Sequence, residues 1–103
     1  MLQEILHKQP DTDAIFFCND DLAQGALMAA LRLGISVPTR VAIAGFNDLT
    51  GSDQMLPRLT TVRTPRAEIG RRAAMLLLSL MNGSQTAPCM IDLGYELMDR
   101  EST

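Results

Sequence analysis

The sequence has few of the residues on which several common functions depend. Of its 103 residues, 9 are lysine or arginine and 12 are aspartate or glutamate, giving a formal net charge of −3. Nucleic-acid affinity comes largely from basic side chains that neutralise phosphates, so these residues are not expected to bind DNA by themselves. No apolar run approaches the roughly 20 residues of a membrane helix, and the start lacks a signal-peptide pattern, which together predict a cytoplasmic protein.

Residues that commonly carry catalysis or bind metals are also scarce. The single histidine, His7, lies in a polar stretch, and the two cysteines, Cys18 and Cys89, are far apart and belong to no CxxC motif. We therefore expect no histidine-centred catalysis, no metal site and no cofactor, with His7 on the surface and Cys18 in the core. The absence of a GxGxxG motif and of a P-loop glycine run also argues against an enzyme.

Among the residues that are present, 47% are hydrophobic, which fits one globular domain. Residues 14–18 and 41–46 are continuous apolar runs, typical of parallel strands covered on both faces. The helical pattern between them, over 21–33, ends at Gly34. The residues predicted to face inward on this helix are Leu22, Ala26, Ala29, Ala30 and Leu33.

The rest of the chain predicts further elements of the same α/β class. A short helix is expected over 2–8, a strand over 59–64, a helix over 65–82 that starts at Thr64-Pro65, and one or two short strands within 89–98. The residues predicted to face inward on the last helix are Ile69, Ala73, Leu76, Leu77 and Leu80.

Asparagine-aspartate pairs end the first two predicted strands. Asn19-Asp20 follows the first strand, and Asn47-Asp48 follows the second. In an open parallel sheet, ligands bind outside the carboxyl ends of the strands, where both pairs would lie. Amides donate and accept hydrogen bonds and carboxylates accept them, so these pairs suit the vicinal hydroxyls of a sugar or polyol. Spacing alone leaves an alternative open, in which the first pair caps the helix and the second forms a turn. Gln24 would complete a capping box with Asp21.

Four segments then form an ordered set: "DAIFFCNDDLAQGALMAALRLGISVP", "VAIAGFNDL", "PRLTTVRTPRAEIGRRAAMLLLSLMNG" and "YELMDREST". In order and spacing this set resembles the carboxy-terminal third of repressors of the lactose/purine repressor family, most of all the branch that regulates gluconate use. The resemblance implies a two-lobed, Rossmann-like effector domain of the type I periplasmic-binding-protein kind. This chain would supply an incomplete, parallel-sheet part of that domain.

The resemblance also implies an effector site. Asn19 matches a family position that binds sugar hydroxyls, and Asp20 adjoins it. Asn47 stands where the family usually has an aspartate, and Arg66 stands where some members have an aromatic ring. Both departures favour an anion, because arginine pairs bidentately with carboxylates, so the expected effector is a sugar acid such as gluconate. Without the resemblance, Arg66 would be read as a surface residue of the first helical turn.

Further implications concern assembly. The family's dimer interface would include Gln24, Met28, Leu31 and Met55, although another part of the same parent chain could cover Met28 and Leu31 equally well. Residues 1–60 and 90–103 would belong mostly to one lobe and the 64–83 helix to the other. Operator DNA would be bound only through an amino-terminal helix-turn-helix that these residues lack. These residues alone are therefore expected to bind an effector weakly or not at all.

Two alternatives belong to other functional classes. One is a transport-type sugar-binding protein, which the missing export signal disfavours. The other is a phosphotransfer α/β domain that would use Asp20 or Asp48 as a phosphate acceptor.

Overall fold

Strands and helices alternate along most of the chain, which confirms the predicted α/β class. The computed structural model describes residues 1–84 and 90–103. Its helices are α1 (Leu2–Lys8), α2 (Asp20–Leu33) and α3 (Arg66–Met81), and a short 3-10 helix spans Ser52–Gln54. Its strands are β1 (Ala14–Phe16), β2 (Ala42–Phe46), β3 (Thr60–Arg63) and β4 (Glu96–Met98).

The described strands form one sheet in sequence order. The β1–β2 and β2–β3 pairs are parallel, whereas β4 runs antiparallel to β3. A strand was also predicted upstream of β4, but residues 90–95 form none, and Cys89 lies outside the described residues. The carboxyl ends of β1, β2 and β3 therefore lie at one edge of the sheet.

The hydrophobic core lies on one face of this sheet. On β2, buried Ile43 and Gly45 alternate with half-buried residues that face the other way. On that other face Phe16 pairs with Ala44 and remains 64% exposed. The prediction that both faces of the strands are covered is therefore wrong for the described residues. The buried core cluster consists of Leu2, Phe17, Ala23, Ala26, Leu27, Ala30, Ile43 and Leu59.

The buried face of α2 is rotated from the predicted one. Leu22 and Leu33 were expected inside, but they are 38% and 44% exposed. The residues that the helix buries are Asp20, Ala23, Ala26, Leu27 and Ala30. The cause lies at Gly45: a Cβ built there would overlap Asp20 Oδ1 and lie 3.2 Å from the Ala23 Cβ. Because glycine has no side chain, the first turn of α2 packs directly on β2 with Asp20 and Ala23 inward.

Helix α2 ends as predicted at Gly34. This glycine has φ 69°, in the left-handed region where glycine is favoured. Its amide donates to the Ala30 carbonyl, and the amide of Ile35 donates to the same oxygen at 2.9 Å. Ile35 then packs partly against the core, which completes a hydrophobic C-cap.

Two isolated predictions have opposite outcomes. His7 is exposed, as expected. Cys18 is also exposed and free, so its assignment to the core is wrong. Neighbouring side chains in an extended segment point to opposite sides, and here Phe17 occupies the inward position.

The described chain divides into two compact units. One comprises Met1–Arg63 with Glu96–Thr103 and contains the sheet, and the other is Thr64–Tyr95 and contains α3. Helix α3 begins after Pro65 at its N-cap and has no buried residue, so the predicted inward face is wrong. Two examples are Leu77 and Leu80, which are 58% and 48% exposed. No helix among the described residues is long and apolar enough to cross a membrane.

Candidate ligand-binding site

The two asparagine-aspartate pairs lie at the same edge of the sheet. Asn47 directly follows β2, and Asn19 follows β1, whose ladder is continued by a hydrogen bond from the Phe17 amide to the Ala44 carbonyl. Since β1 and β2 are parallel neighbours, their carboxyl ends are adjacent. This is the edge at which open parallel sheets bind ligands.

Asn19 is the N-cap of α2. Its Oδ1 accepts a hydrogen bond from the Leu22 amide at 3.0 Å, so the cap is Asn19 rather than Asp21. The cap uses only the side-chain oxygen. Within residues 1–84 and 90–103, the Asn19 side-chain nitrogen donates to no protein group. Capping and ligand binding are thus compatible in one side chain, because its NH₂ group can still donate to a hydroxyl oxygen.

Asn47 and Asp48 form an unusual turn. Their φ angles are 101° and 52°, in the region that non-glycine residues rarely adopt, although Asn and Asp tolerate it best. The Asn47 amide donates to the Val62 carbonyl at 2.8 Å, and the Asp48 amide donates to Thr61 Oγ1 at 3.3 Å. Strand β3 therefore fixes the direction in which the chain leaves β2.

Asp20 lies in the interior rather than at the surface. Its side chain has no exposed area, and its carboxylate accepts three hydrogen bonds. Oδ1 accepts from Thr61 Oγ1 at 2.6 Å, and Oδ2 accepts from Ser52 Oγ at 2.6 Å and from the Leu49 amide at 2.7 Å. In this structure Asp20 offers no surface to an effector, so it does not make the predicted direct contact, and its role here is structural. A fully buried carboxylate also cannot meet a phosphodonor.

Gln24 does not form the expected capping box. Its side-chain nitrogen donates to Ser52 Oγ at 3.0 Å and to the Thr50 carbonyl at 3.3 Å, so it ties the loop after β2 to the helix. Of the other predicted interface residues, Met28 and Leu31 are 57% and 61% exposed. Met55 packs partly against the core. The dimer interface itself stays a prediction.

Asp48 is held by two arginines. Its Oδ2 accepts from Arg63 Nε at 2.7 Å, and its Oδ1 lies 2.7 Å from Arg100 Nη2. Burial alone would raise the pKa of Asp48. Hydrogen bonds from both arginines, together with their charges, outweigh burial and hold that pKa below its ordinary value. Asp48 is thus an ionised anchor of the turn.

Arg66 belongs to the other unit, where it is the first residue of α3 and is exposed. Its amide donates to the Thr64 carbonyl at 2.8 Å. The assignment of Asn19, Asn47 and Arg66 to an effector site stays a prediction.

Sequence reasoning missed three residues that hold this edge together: Ser52, Thr61 and Arg100. Thr61 is fully buried on β3 beside Gly45, and Ser52 is fully buried in the loop. A polar residue paired with a strand glycine is a weak signal of such a contact. The partner, Asp20, is too distant in sequence for any local pattern to reveal it.

Comparison with known proteins assigns the fold to a family. The whole chain, residues 1–103, matches the family described as periplasmic binding protein-like domain. The chain belongs to this family. Its expected resemblance to the lactose/purine repressor family is confirmed by its relatives. It is 57% identical over 100 residues to the HTH-type transcriptional regulator GntR of Pseudomonas aeruginosa. It is 40% identical over 97 residues to the HTH-type transcriptional regulator IdnR of Escherichia coli.

The matches cover nearly all of this chain but only part of each relative. They include 97% and 94% of the chain, and 29% of the length of GntR from P. aeruginosa and of IdnR. The crystal structure of the transcription regulator GntR from Chromobacterium violaceum matches with a TM-score of 0.87 at 54% identity, over 99% of this chain and 38% of that one. A transcriptional regulator CelR–cellobiose complex matches with a TM-score of 0.90 at 35% identity, over 99% and 31% of the two chains.

Proposed function

We propose that this periplasmic binding protein-like chain is the effector-binding and dimerisation segment of a bacterial transcriptional repressor, and that the effector is a sugar acid such as gluconate. The observation that carries the proposal is the placement of Asn19 and Asn47 at adjacent strand ends, in a chain whose relatives are transcriptional regulators. The same relatives favour a regulator over a transport-type protein. Chemically, this segment binds a ligand without converting it.

The proposed ligand chemistry follows from the side chains. The Asn19 NH₂ group donates to one sugar hydroxyl, and the Asn47 amide recognises another. Arg66 pairs with the carboxylate of the sugar acid. An arginine at the first position of α3 lies near the positive end of the helix dipole, where it is disfavoured, so a ligand provides a reason for it.

Regulation of DNA binding then follows from thermodynamic linkage between the effector site and the operator site. A ligand that favours one conformation of the effector domain changes operator affinity, and operator binding changes effector affinity by the same factor. The operator would be bound by a helix-turn-helix outside these residues. We place the protein in the cytoplasm as a homodimer whose interface includes Gln24, Met28, Leu31 and Met55.

The test is calorimetric titration of the full-length protein with gluconate and with neutral glucose. We expect gluconate to bind and glucose not to bind. Asn19→Ala and Arg66→Ala should each weaken gluconate binding by about ten-fold or more, which corresponds to roughly 1.4 kcal/mol.

Arg71→Ala is the matched control. Arg71 is an exposed arginine of the same helix, and its guanidinium pairs with Glu68. We expect its removal to leave gluconate affinity unchanged. The sugar-acid proposal fails if gluconate does not bind, or if Arg66→Ala and Arg71→Ala bind it equally well.

A further inference from the structure

We propose that Asp20 is the positioning residue of the effector site, and that its buried carboxylate sets the place of Asn47 without touching the ligand. This inference deepens the proposed function and rests on it. Asp20 is the first residue of α2, directly after Asn19, and it reaches across to the loop that follows β2. One side chain therefore connects the two strand ends that carry the proposed ligand contacts.

Three successive backbone amides at the end of β2 are all hydrogen-bonded. The Asn47 amide donates to β3, the Asp48 amide to Thr61 Oγ1, and the Leu49 amide to Asp20 Oδ2. Thr61 in turn donates to Asp20 Oδ1, so Asp20 supports two of the three contacts. A turn with two non-glycine residues at positive φ persists only where its surroundings fix it, and these bonds do so.

The groups that surround the Asp20 side chain require hydrogen-bond acceptors. Three donors converge on two oxygen atoms: the hydroxyls of Thr61 and Ser52 and the amide of Leu49. A backbone amide can only donate, and an ionised carboxylate offers acceptors on both sides. An asparagine would present NH₂ on one side, so at least one hydroxyl would have to turn away.

The fold leaves space for this carboxylate at a glycine of β2. Gly45 lies against Asp20, and any side chain at that position would overlap it. Gln24 adds a second tie, because it donates to Ser52 Oγ and to the Thr50 carbonyl. The loop from β2 to Ser52 is thus fastened to the first two turns of α2. If Asn47 contacts the effector, effector affinity therefore depends on these contacts between the loop and α2.

The experiment compares Asp20→Asn with Asp21→Asn in the full-length protein. Asp21 is the adjacent acid on the same helical turn and is exposed. Amide hydrogen exchange of the peptide covering residues 47–52 is measured by mass spectrometry, alongside calorimetric titration with gluconate. We expect Asp20→Asn to speed exchange of that peptide by about ten-fold or more, with exchange of α1 unchanged. Gluconate affinity should fall by about ten-fold, and Asp21→Asn should behave as wild type.

A milder variant guards against misfolding of Asp20→Asn. Ser52→Ala removes one donor and leaves the Thr61 and Leu49 bonds to Asp20 in place, so its effects should be in the same direction but smaller, about three-fold in exchange. The inference is overturned if Asp20→Asn matches wild type in both amide exchange and gluconate affinity. If Asp20→Asn does not fold, the same result with Ser52→Ala overturns it. If wild type itself does not bind gluconate, the proposed ligand is wrong, and hydrogen exchange still decides whether Asp20 positions the loop.

Discussion

Replacing Gly45 by alanine tests the packing of α2 on β2. A Cβ at this position would come closer to Asp20 Oδ1 than the 3.0 Å below which real Cβ contacts essentially do not occur, and it would lie 3.2 Å from Ala23 Cβ. The carboxylate cannot swing aside freely, because three hydrogen bonds hold it in a fully buried site. Either the carboxylate or the helix must move.

The size of the destabilisation follows from these two possibilities, movement of the carboxylate or movement of the helix. Losing one hydrogen bond to a charged group costs about 1.5–3 kcal/mol, and inserting a methyl group into a packed core costs about 1–3 kcal/mol. We therefore expect Gly45→Ala to lower the free energy of unfolding by about 2–4 kcal/mol, less than the sum because relief of one strain relieves the other. Urea denaturation of the full-length protein, followed by circular dichroism, measures it.

Gly25→Ala is the matched control for this prediction. Gly25 lies in the interior of α2, and a Cβ added there meets nothing within 4 Å. Alanine should stabilise the helix by about 0.5–1 kcal/mol at this position. Close packing of α2 on Gly45 is refuted if the free energy of unfolding of Gly45→Ala lies within about 0.5 kcal/mol of the wild-type value, which is the range of ordinary surface substitutions.

Two further predictions concern the helices. Gly34→Ala should lower the free energy of unfolding by about 1–2 kcal/mol in the same urea assay, because a φ of 69° strains any residue with a Cβ. An unchanged free energy of unfolding would contradict the role of Gly34 in the C-cap. In α3, hydrogen bonds from Arg71 and Arg72 lower the pKa of Glu68 from 4.5 to about 2. Since the folded-state pKa is the lower one, the stabilisation is complete above about pH 4.5 and is lost as the pH falls towards 2. The difference in free energy of unfolding between wild type and Glu68→Gln should therefore shrink as the pH falls through that window. A difference that stays constant would contradict the stabilising role of Glu68.

Local patterns predict a large part of this fold. Strand β2 and the Gly34 stop follow from apolar runs and from glycine chemistry, which involve residues close in sequence. The placement of Asn19 and Asn47 at one edge follows as well, since a strand, a helix and a second strand in that order favour parallel pairing. Residue type and position limited the N-cap of α2 to Asn19, Asp20 or Asp21, and the structure shows that it is Asn19.

Other features depend on contacts between distant residues. Gly45 decides which side of α2 faces the sheet, because it leaves room for Asp20 and Ala23. Periodicity alone predicted that Leu22 faces inward, but Leu22 is exposed. The burial of Asp20 likewise requires Ser52 and Thr61, which no nearby pattern connects to it. For α3, an apolar side predicts burial, but no residue of the helix is buried in the structure.

The most direct measurement is a crystal structure of the full-length protein grown with gluconate. The proposal predicts the gluconate carboxylate within about 3 Å of the Arg66 guanidinium, and sugar hydroxyls at similar distances from the side-chain amides of Asn19 and Asn47. Asp20 should remain buried and out of contact with the ligand. A gluconate molecule bound elsewhere, or bound at this edge with its carboxylate away from Arg66, would contradict the proposed sugar-acid site.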